Sequence, residues 1–418
     1  LWAGLAVMNL LFIHGNFPGQ FLDLAPLLAQ KAGGRTVFLT ESENPQGIQL
    51  PGVELVRFGC HRTVNDDCHV YLRNTEQAVL RGQAVLRALQ QFQEQGFVPD
   101  VVIAHGGVGF GMFVKALLPR AVLVSYVEWF FGPGSNRSLF GSSGLDEYAS
   151  ADLTNLPVLQ ELTHADRIVC PTAWQRSQFP QEWQPRIELI FDGVDQNSYK
   201  PQLWEGEVVL ASGEEGPPVR LQPEQKVLSY ATRGMEPLRG FPDFLRAAAV
   251  AQQVDPQLQV VVAGRDRVAY SYRPNHPSGS WKQALLEELD GQLDLERLHF
   301  TGLVNYGELK QLFWRSDLQC MFSRPYVISW GLFQAAACGA RLLVNDGPGL
   351  SDVFARPLER PAVNLEDQRA VNDAVLAGLA EPRLKALPEP NLRPEYNLQY
   401  CKQQWLALLE SCRPAAIS

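Results

Sequence analysis

Several signatures that would assign a protein to a class at once are missing from this 418-residue sequence. Its seven cysteines are scattered and form no C-x-x-C pair, which argues against a zinc site or a disulfide framework and indicates a reducing compartment. The net charge of −9 argues against a surface that binds nucleic acid. The remaining composition, 46% hydrophobic and 19% charged, is typical of an ordinary globular chain.

A membrane-spanning segment is missing as well. No stretch reaches the roughly 20 apolar residues that a transmembrane helix needs. The uncharged stretch 1–13 lacks the basic start and the cleavage site of a signal peptide. Met8 reads as a true protein start, with residues 1–7 as an upstream extension. We therefore expect a cytoplasmic protein, and peripheral attachment to the inner membrane face stays open as an alternative.

The chain alternates short apolar runs with longer helix-like segments, the pattern of parallel α/β architecture. A length of 418 residues favours two domains of about 200 residues each. The predicted bounds are 8–200 for the first domain, 201–224 for a turn-rich linker, 225–393 for the second domain and 394–412 for a C-terminal helix that packs back on the first domain.

Each predicted domain is a doubly wound, Rossmann-like sheet, which predicts a ligand in a crevice at the carboxyl ends of both sheets. The predicted strands are 9–13, 36–39, 53–57, 101–104, 122–126, 167–170 and 188–191, followed by 227–231, 257–263, 298–302, 318–322 and 341–345.

Two loops that follow predicted strands have glycines or arginines where such a sheet binds anions. The first is 14–20 (HGNFPGQ), which is not a G-x-G-x-x-G dinucleotide motif, and its glycines could equally serve packing alone. The second is 231–241 (ATRGMEPLRGF), where Arg233 and Arg239 could hold a diphosphate or could be two solvated surface arginines.

The segment 323–339 (SRPYVISWGLFQAAACG) carries the strongest signal. A predicted strand leads into a loop and then into a helix rich in small residues. Backbone N–H groups around Gly331 and Leu332 at the start of that helix would suit a phosphate.

These segments together resemble the family 4 glycosyltransferases of the GT-B fold. The likeness rests on Arg233 and Arg239-Gly240, the turn at Ala263-Gly264, and the motifs 300–302 (FTG), 334–339 (QAAACG) and 192–195 (DGVD). The segments 126–131, 171–180 and 325–330 resemble a subgroup associated with bacterial surface polysaccharides. The resemblance extends from about Met8 over nearly the whole chain.

The resemblance implies roles for individual residues. Arg233 and Arg239 would grip the donor diphosphate, and His105 would reach the donor sugar, although a histidine in such a turn is also commonly structural. Glu128 is a hypothetical acceptor-side residue, with a solvated loop carboxylate as the alternative. The remaining implied donor-site residues are Gly15, Gly19, Gly264, Leu303, Val304, Tyr326, Trp330, Gly331, Leu332 and Gln334.

One departure from the family pattern concerns the ribose. The family's E-x7-E motif ends in a glutamate that binds the nucleotide ribose, and this sequence has Gln334 there and Tyr326 at the first position. An amide still forms a hydrogen bond to a hydroxyl but loses the charge-assisted bond, worth about 1.5–3 kcal/mol against about 1 for a neutral one.

The resulting expectation is a retaining, metal-independent transfer of sugar from a UDP- or GDP-linked donor to a glycan, lipid-linked or small-molecule hydroxyl, with no cofactor and no metal site. Loops such as 132–152 would select the acceptor. Two alternatives stay open: a non-catalytic, donor-binding or partner subunit, which Gln334 favours, and a GT-B sugar-nucleotide epimerase.

Overall fold

The computed structural model describes residues 7–44, 47–132, 139, 141, 144–210 and 217–413. Parts of the predicted extension 1–7, of the predicted linker and of the predicted acceptor loop 132–152 lie outside these residues. The chain divides into two compact units. The first comprises Leu1–Pro133, Gly144–Gly193 and Leu398–Ser418, and the second comprises Gly134–Ser143 and Val194–Asn397.

The first unit contains a seven-stranded sheet in the order β3-β2-β1-β4-β5-β6-β7, with every pair of neighbours parallel. Its buried strands are rich in Val, Ile, Leu and Phe because both faces are covered. The strands are β1 (Met8–His14), β2 (Gly33–Thr40), β3 (Glu54–Arg57), β4 (Val101–His105), β5 (Val122–Tyr126), β6 (Arg167–Cys170) and β7 (Ile187–Leu189).

The described residues of the first unit also form helices on either side of its sheet strands in the sequence. They are α1 (Leu24–Ala32), α2 (Arg73–Glu94), α3 (Val114–Leu117), α4 (Leu145–Thr154), α5 (Leu156–His164), α6 (Ala173–Arg176) and, at the end of the chain, α12 (Leu398–Ser411). Helix α12 packs against α1, and its buried Trp405 donates Nε1–H to the carbonyl of Phe191 at 3.1 Å.

The second unit contains a five-stranded parallel sheet in the order β12-β11-β10-β13-β14. Its strands are β10 (Val227–Gly234), β11 (Gln259–Arg265), β12 (Leu298–Gly302), β13 (Leu318–Met321) and β14 (Leu342–Val344). Its helices are α7 (Phe241–Val254), α8 (Trp281–Glu288), α9 (Tyr306–Arg315), α10 (Trp330–Ala337) and α11 (Gln368–Ala380).

The stretch predicted as a linker has structure of its own. It holds an antiparallel hairpin of β8 (Val208–Leu210) and β9 (Val219–Leu221), which packs against the second unit together with Val227 and Leu312. The chain passes from the first unit into the second after Gly193, which is earlier than the predicted residue 200. The sequence analysis missed these strands because each has only three residues and lies in a turn-rich segment.

Both sheets reverse their strand order at one place, between β1 and β4 in the first unit and between β10 and β13 in the second. The carboxyl ends of neighbouring parallel strands diverge at such a switch point, and ligands of α/β sheets bind there. Among the described residues, no helix is both long enough and apolar enough to cross a membrane.

Candidate functional site

The switch point of the first unit brings two histidines and a carboxylate together. His14 ends β1, His105 ends β4, and Glu128 follows β5. The two imidazole rings have their centroids 4.5 Å apart, and Nε2 of His105 lies 2.9 Å from Oε2 of Glu128. The predicted residues His105 and Glu128 therefore form a hydrogen-bonded pair.

Electrostatics assign different states to these groups. Burial, followed by the neighbouring His105, lowers the pKa of His14 to about 3, so this imidazole is neutral at physiological pH. Burial alone would raise the pKa of Glu128, but the interactions with His105, together with smaller contributions from His14 and Gln20, outweigh it and lower the pKa. An ionised Glu128 then orients the imidazole of His105, as a carboxylate does for a histidine in many active sites.

The predicted glycines of the first loop have a packing role as well. A Cβ on Gly19 would lie 2.8 Å from Cε1 of His14, and Gly19 has a positive φ of 55°. Only glycine therefore lets the loop lie against the His14 ring. A Cβ on Gly15 would meet Phe110 at 3.3 Å, a tighter contact than most side chains make.

Glu161 of α5 holds the loop that follows His105. The backbone N–H groups of Gly107, Gly109 and Gly111 donate to its carboxylate at 2.9, 3.0 and 3.3 Å. Glu161 is fully buried, and burial raises its pKa to about 7 against the opposing effect of these donors. The loop that carries His105 is thus fixed by a buried carboxyl group.

The switch point of the second unit brings the two predicted arginines to one tyrosine. Arg233 near the end of β10 donates Nη1–H to the hydroxyl of Tyr270 at 3.0 Å. The guanidinium carbon of Arg239 lies 5.7 Å from the centroid of the same ring. Tyr270 also contacts Tyr326, with ring centroids 5.8 Å apart. The predicted residues Arg233, Arg239 and Tyr326 therefore share Tyr270 as a neighbour.

Further positive charge lies beside Arg233. The Nε–H of Arg267 points to the Arg233 carbonyl at 3.4 Å. Burial, followed by the charges of Arg233 and Arg265, lowers the pKa of Arg267. Guanidinium groups that repel one another in this way favour the binding of an anion with several oxygens.

Glu236 fixes the loop that carries Tyr270. Its side chain is fully buried, and its Oε2 accepts hydrogen bonds from the backbone N–H groups of Ala269, Tyr270 and Ser271 at 3.1, 2.9 and 2.8 Å. The loop after β11 is therefore held over the carboxyl end of β10.

The segment that follows β13 is held by hydrogen bonds of Arg239 and by an ion pair of Arg324. Arg239 is buried and donates Nη1–H to Oγ of Ser323 at 2.5 Å and to the carbonyl of Val327 at 3.0 Å. Arg324 forms a bidentate pair with Asp243 at 2.7 and 3.1 Å. Arg239 is thus both a candidate ligand residue and a structural support for the loop around Tyr326.

The helix α10 begins directly after this loop. Trp330, Gly331 and Leu332 form its first turn, after the N-cap Ser329. Gln334 lies one turn further on, half-buried, and its side-chain amide makes no hydrogen bond within the described parts of the chain. This arrangement places an amide near the helix N-terminus that was predicted to face a phosphate.

Three predicted residues lie away from the switch point or have another role. Leu303 and Val304 follow β12, the edge strand, which is two strands from β10 in the sheet. Val304 packs against the hydrophobic cluster beneath the hairpin. A Cβ on Gly264 would lie 2.4 Å from the carbonyl oxygen of Thr232, so close strand packing accounts for this glycine.

Sequence reasoning missed His14, Glu161, Glu236 and Tyr270. Two of them had a readable signal: His14 ends the first strand, and Glu161 stands on the apolar stripe of α5 with Val158 and Leu162. Tyr270 had none, because it lies in an irregular loop. Over the described residues, no group of three His, Cys, Asp or Glu is placed to hold a metal ion.

Comparison with known proteins gives a match to a protein family over part of the chain. The profile of the family described as "Glycosyl transferase family 4 group" matches residues 32–198. No curated protein sequence matches the chain.

Solved structures resemble nearly the whole chain at low identity. HepE from Anabaena, solved with UDP and glucose, is 15% identical with a TM-score of 0.60, over 97% of this chain and 100% of that one. Sucrose-phosphate synthase from Thermosynechococcus elongatus is 13% identical with a TM-score of 0.61, over 97% and 96%. A putative UDP-N-acetylglucosamine 2-epimerase from Listeria monocytogenes is 14% identical with a TM-score of 0.52, over 97% and 96%.

These similarities confirm the predicted fold class. The chain has an α/β fold of the GT-B type, with a parallel sheet in each unit, similar to that of family 4 glycosyltransferases.

Proposed function

We propose that this protein is a glycosyltransferase that transfers a sugar from a UDP-linked donor to a hydroxyl of a glycan, lipid-linked or small-molecule acceptor. The observation that carries the proposal is the convergence of Arg233 and Arg239 on Tyr270 at the switch point of the second sheet. HepE, with the same fold, was solved with UDP and glucose, which supports UDP over GDP as the nucleotide.

The second unit supplies the charge that the reaction needs. As the sugar leaves, negative charge develops on the departing diphosphate, and two guanidinium groups offset it. The N-terminus of α10 adds partial positive charge. The proposed transfer therefore proceeds without a metal ion. Gln334 is the proposed ribose ligand, through a neutral hydrogen bond instead of the charge-assisted bond of a glutamate.

The first unit supplies polar groups for the sugar and the acceptor. We assign the donor sugar to His105, whose ring is oriented by ionised Glu128. Retention of configuration is proposed through front-face attack, in which the acceptor hydroxyl gives its proton to the departing phosphate. Assembly of a cytoplasmic surface-polysaccharide precursor is the proposed context.

One observation favours a second candidate function. Gln334 replaces the motif glutamate, and a chain with weakened donor binding could serve as a non-catalytic, donor-binding or partner subunit. A donor site that binds UDP without turnover would identify this function.

The first experiment measures thermal unfolding with UDP, GDP, ADP, UDP-glucose and GDP-mannose for the wild type, Arg233→Ala and Arg246→Ala. Arg246 is the matched control because it forms an ion pair with Glu288 elsewhere in the second unit. A ligand that binds only the folded state raises the melting temperature. We expect uridine nucleotides to stabilise the wild type and Arg246→Ala but not Arg233→Ala.

The second experiment measures the rate of UDP release from each nucleotide sugar that raised the melting temperature. Release that depends on an added acceptor supports the transferase. Binding without release on any acceptor supports the subunit instead. Absence of a melting shift with every nucleotide would contradict both.

A further inference from the structure

A pocket of about 460 Å³ lies at the amino-terminal edge of the second unit's sheet. Arg315 and Asp317 line it just before β13, and Arg341 lines it just before β14. Trp204 and Lys385 come from segments before and after the sheet in the chain. A volume of this size is in the range of small-molecule sites, roughly 300–1,000 Å³.

Two arginines in this pocket share one carboxylate. Arg315 and Arg383 both form ion pairs with Asp317, at 3.3 and 2.6 Å. Burial, followed by the charge of Arg383, lowers the pKa of Arg315. Two guanidinium groups thus share the carboxylate of Asp317, and Glu224 adds a weaker negative charge near Arg315.

The same arrangement recurs beside β14. Arg341 and Arg360 both donate to Oε2 of Glu381. Lys385 adds another cation to the lining, and the exposed Glu205 at the rim offsets part of the total. The pocket therefore keeps an excess of positive charge beside buried guanidinium groups.

The buried polar atoms without a hydrogen-bond partner in this pocket are all donors, as far as the described residues go. They are Nε of Arg315, Nε and Nη1 of Arg341, and Nε1 of Trp204. The side chains of Arg315 and Arg341 are only 2% and 8% exposed. Buried donors without partners are costly, so their natural complement is a ligand with several acceptor oxygens and a negative charge.

A structural role explains part of this set. Arg315 and Arg383 both donate to the carbonyls of Pro223 and Gln225 and so hold the turn before β10. That role uses the Nη groups of the two arginines. It does not involve Nε and Nη1 of Arg341 or the ammonium group of Lys385.

Part of the pocket lining is apolar. The indoles of Trp204 and Trp314 stack with centroids 5.9 Å apart and planes 15° apart. Leu203, Leu384 and Pro388 line the pocket near them. A lining that combines flat aromatic surfaces with cationic groups suits a molecule with a carbon ring and an anionic group.

We propose that this pocket binds a phosphorylated sugar, with the phosphate against Arg341 and Lys385 and the sugar ring against the Trp204 and Trp314 wall. The site is separate from the proposed donor site, because Arg233 and Ser323 lie at the opposite, carboxyl-terminal edge of the same sheet. The four residues of β13 alone span about 13 Å between the edges.

Calorimetric titration with glucose 6-phosphate tests this site. Glucose and inorganic phosphate are the two partial probes, and the proteins are the wild type, Arg233→Ala, Lys385→Ala, Arg341→Gln and Trp204→Leu. Arg233→Ala removes the donor-site arginine and serves as the background control. Lys385 is exposed, so its truncation tests the site with little risk to folding.

We expect glucose 6-phosphate to bind the wild type and Arg233→Ala equally, with a Kd below about 1 mM. Binding should weaken about threefold to tenfold in Lys385→Ala, and at least about tenfold in Arg341→Gln and Trp204→Leu. Absence of binding to the wild type, equal binding by Lys385→Ala, or inorganic phosphate that binds as tightly as the sugar phosphate would each overturn the proposal. Loss of binding in Arg233→Ala would place the ligand in the donor site instead and overturn it too.

Discussion

The switch points of the two sheets carry different kinds of polar side chain, although a buried glutamate holds the neighbouring loop at both. At the first, a buried neutral imidazole lies against a histidine that is paired with a carboxylate. At the second, two arginines gather around a tyrosine, with a further guanidinium beside them. One point offers hydrogen bonding to hydroxyl groups, and the other offers positive charge to phosphates.

The support common to both is a buried glutamate that binds three backbone N–H groups of the neighbouring loop. The two carboxylate oxygens of Glu161 accept hydrogen bonds from the backbone N–H groups of every second residue in a glycine-rich loop. A single carboxylate oxygen of Glu236 accepts hydrogen bonds from the backbone N–H groups of three consecutive residues. The glycine-rich loop needs its glycine at position 109, because a Cβ there would lie 2.0 Å from the carbonyl oxygen of Ala78.

Removal of the second switch point's charge should have the largest effect. Arg239→Ala deletes the group that lies over Tyr270 and holds Ser323, so we expect the rate of UDP release to fall about 10³-fold. Arg239→Lys keeps the charge without the planar fork and should lose less. Initial rates with a UDP-sugar measure both, and an Arg239→Ala enzyme with the wild-type rate would contradict the assignment.

The first glutamate makes stability depend on pH. The folded state binds the proton of Glu161 more tightly than the unfolded chain does, since its pKa is about 7 against an ordinary value of 4.5. The contribution of this group to the free energy of unfolding is therefore complete below about pH 4.5 and is lost as the pH rises to 7. The total loss is about 3 kcal/mol, because each pKa unit of difference corresponds to about 1.4 kcal/mol. Glu161→Gln should remove this component.

Urea unfolding at several pH values from 4.5 to 8 measures that component as the difference between wild type and Glu161→Gln. Other titrating groups contribute equally to both proteins and cancel. Parallel pH profiles for the two proteins would show that Glu161 is ionised in the folded state throughout.

Alteration of the first switch point should separate turnover from nucleotide binding. His105→Asn removes the imidazole that is paired with Glu128, and we expect UDP release to fall about 100-fold. The Kd for UDP should stay within about twofold, whereas Arg233→Ala should weaken it about tenfold. His164→Asn is the control, because this exposed histidine ends α5. Equal losses of UDP affinity in His105→Asn and Arg233→Ala would remove the contrast between the two points.

The smallest expected effect concerns the loop beside His14. Gly19→Ala combines a positive φ with a close contact to the His14 ring, and should lower the free energy of unfolding by about 2 kcal/mol. Gly33→Ala has a positive φ of 73° with nothing within 4 Å of its Cβ, so it should cost about 1 kcal/mol. Equal losses in urea unfolding would mean that the loop moves away from His14 without cost.

The sequence predicted the regular elements closely where the local signal was strong. The strands Val122–Tyr126, Arg167–Cys170 and Leu298–Gly302 have the predicted bounds, and the helix Tyr306–Arg315 follows the last of them. That helix begins at a capping box between Asn305 and Glu308, a signal that lies entirely within four residues. The hairpin inside the predicted linker was not predicted, because its two strands are short and pair with each other apart from the main sheet.

The sequence by itself determined the alternation of strands and helices, because hydrophobic periodicity and turn residues are local properties. With it came the strand ends that carry His105 and Arg233 and the following turn that carries Arg239. Only the tertiary structure decided which groups meet there. Glu161 reaches Gly109 across 52 residues, and Tyr270 reaches Arg233 across 37. Such contacts depend on strand order and on burial, and neither is encoded in any one segment of the chain.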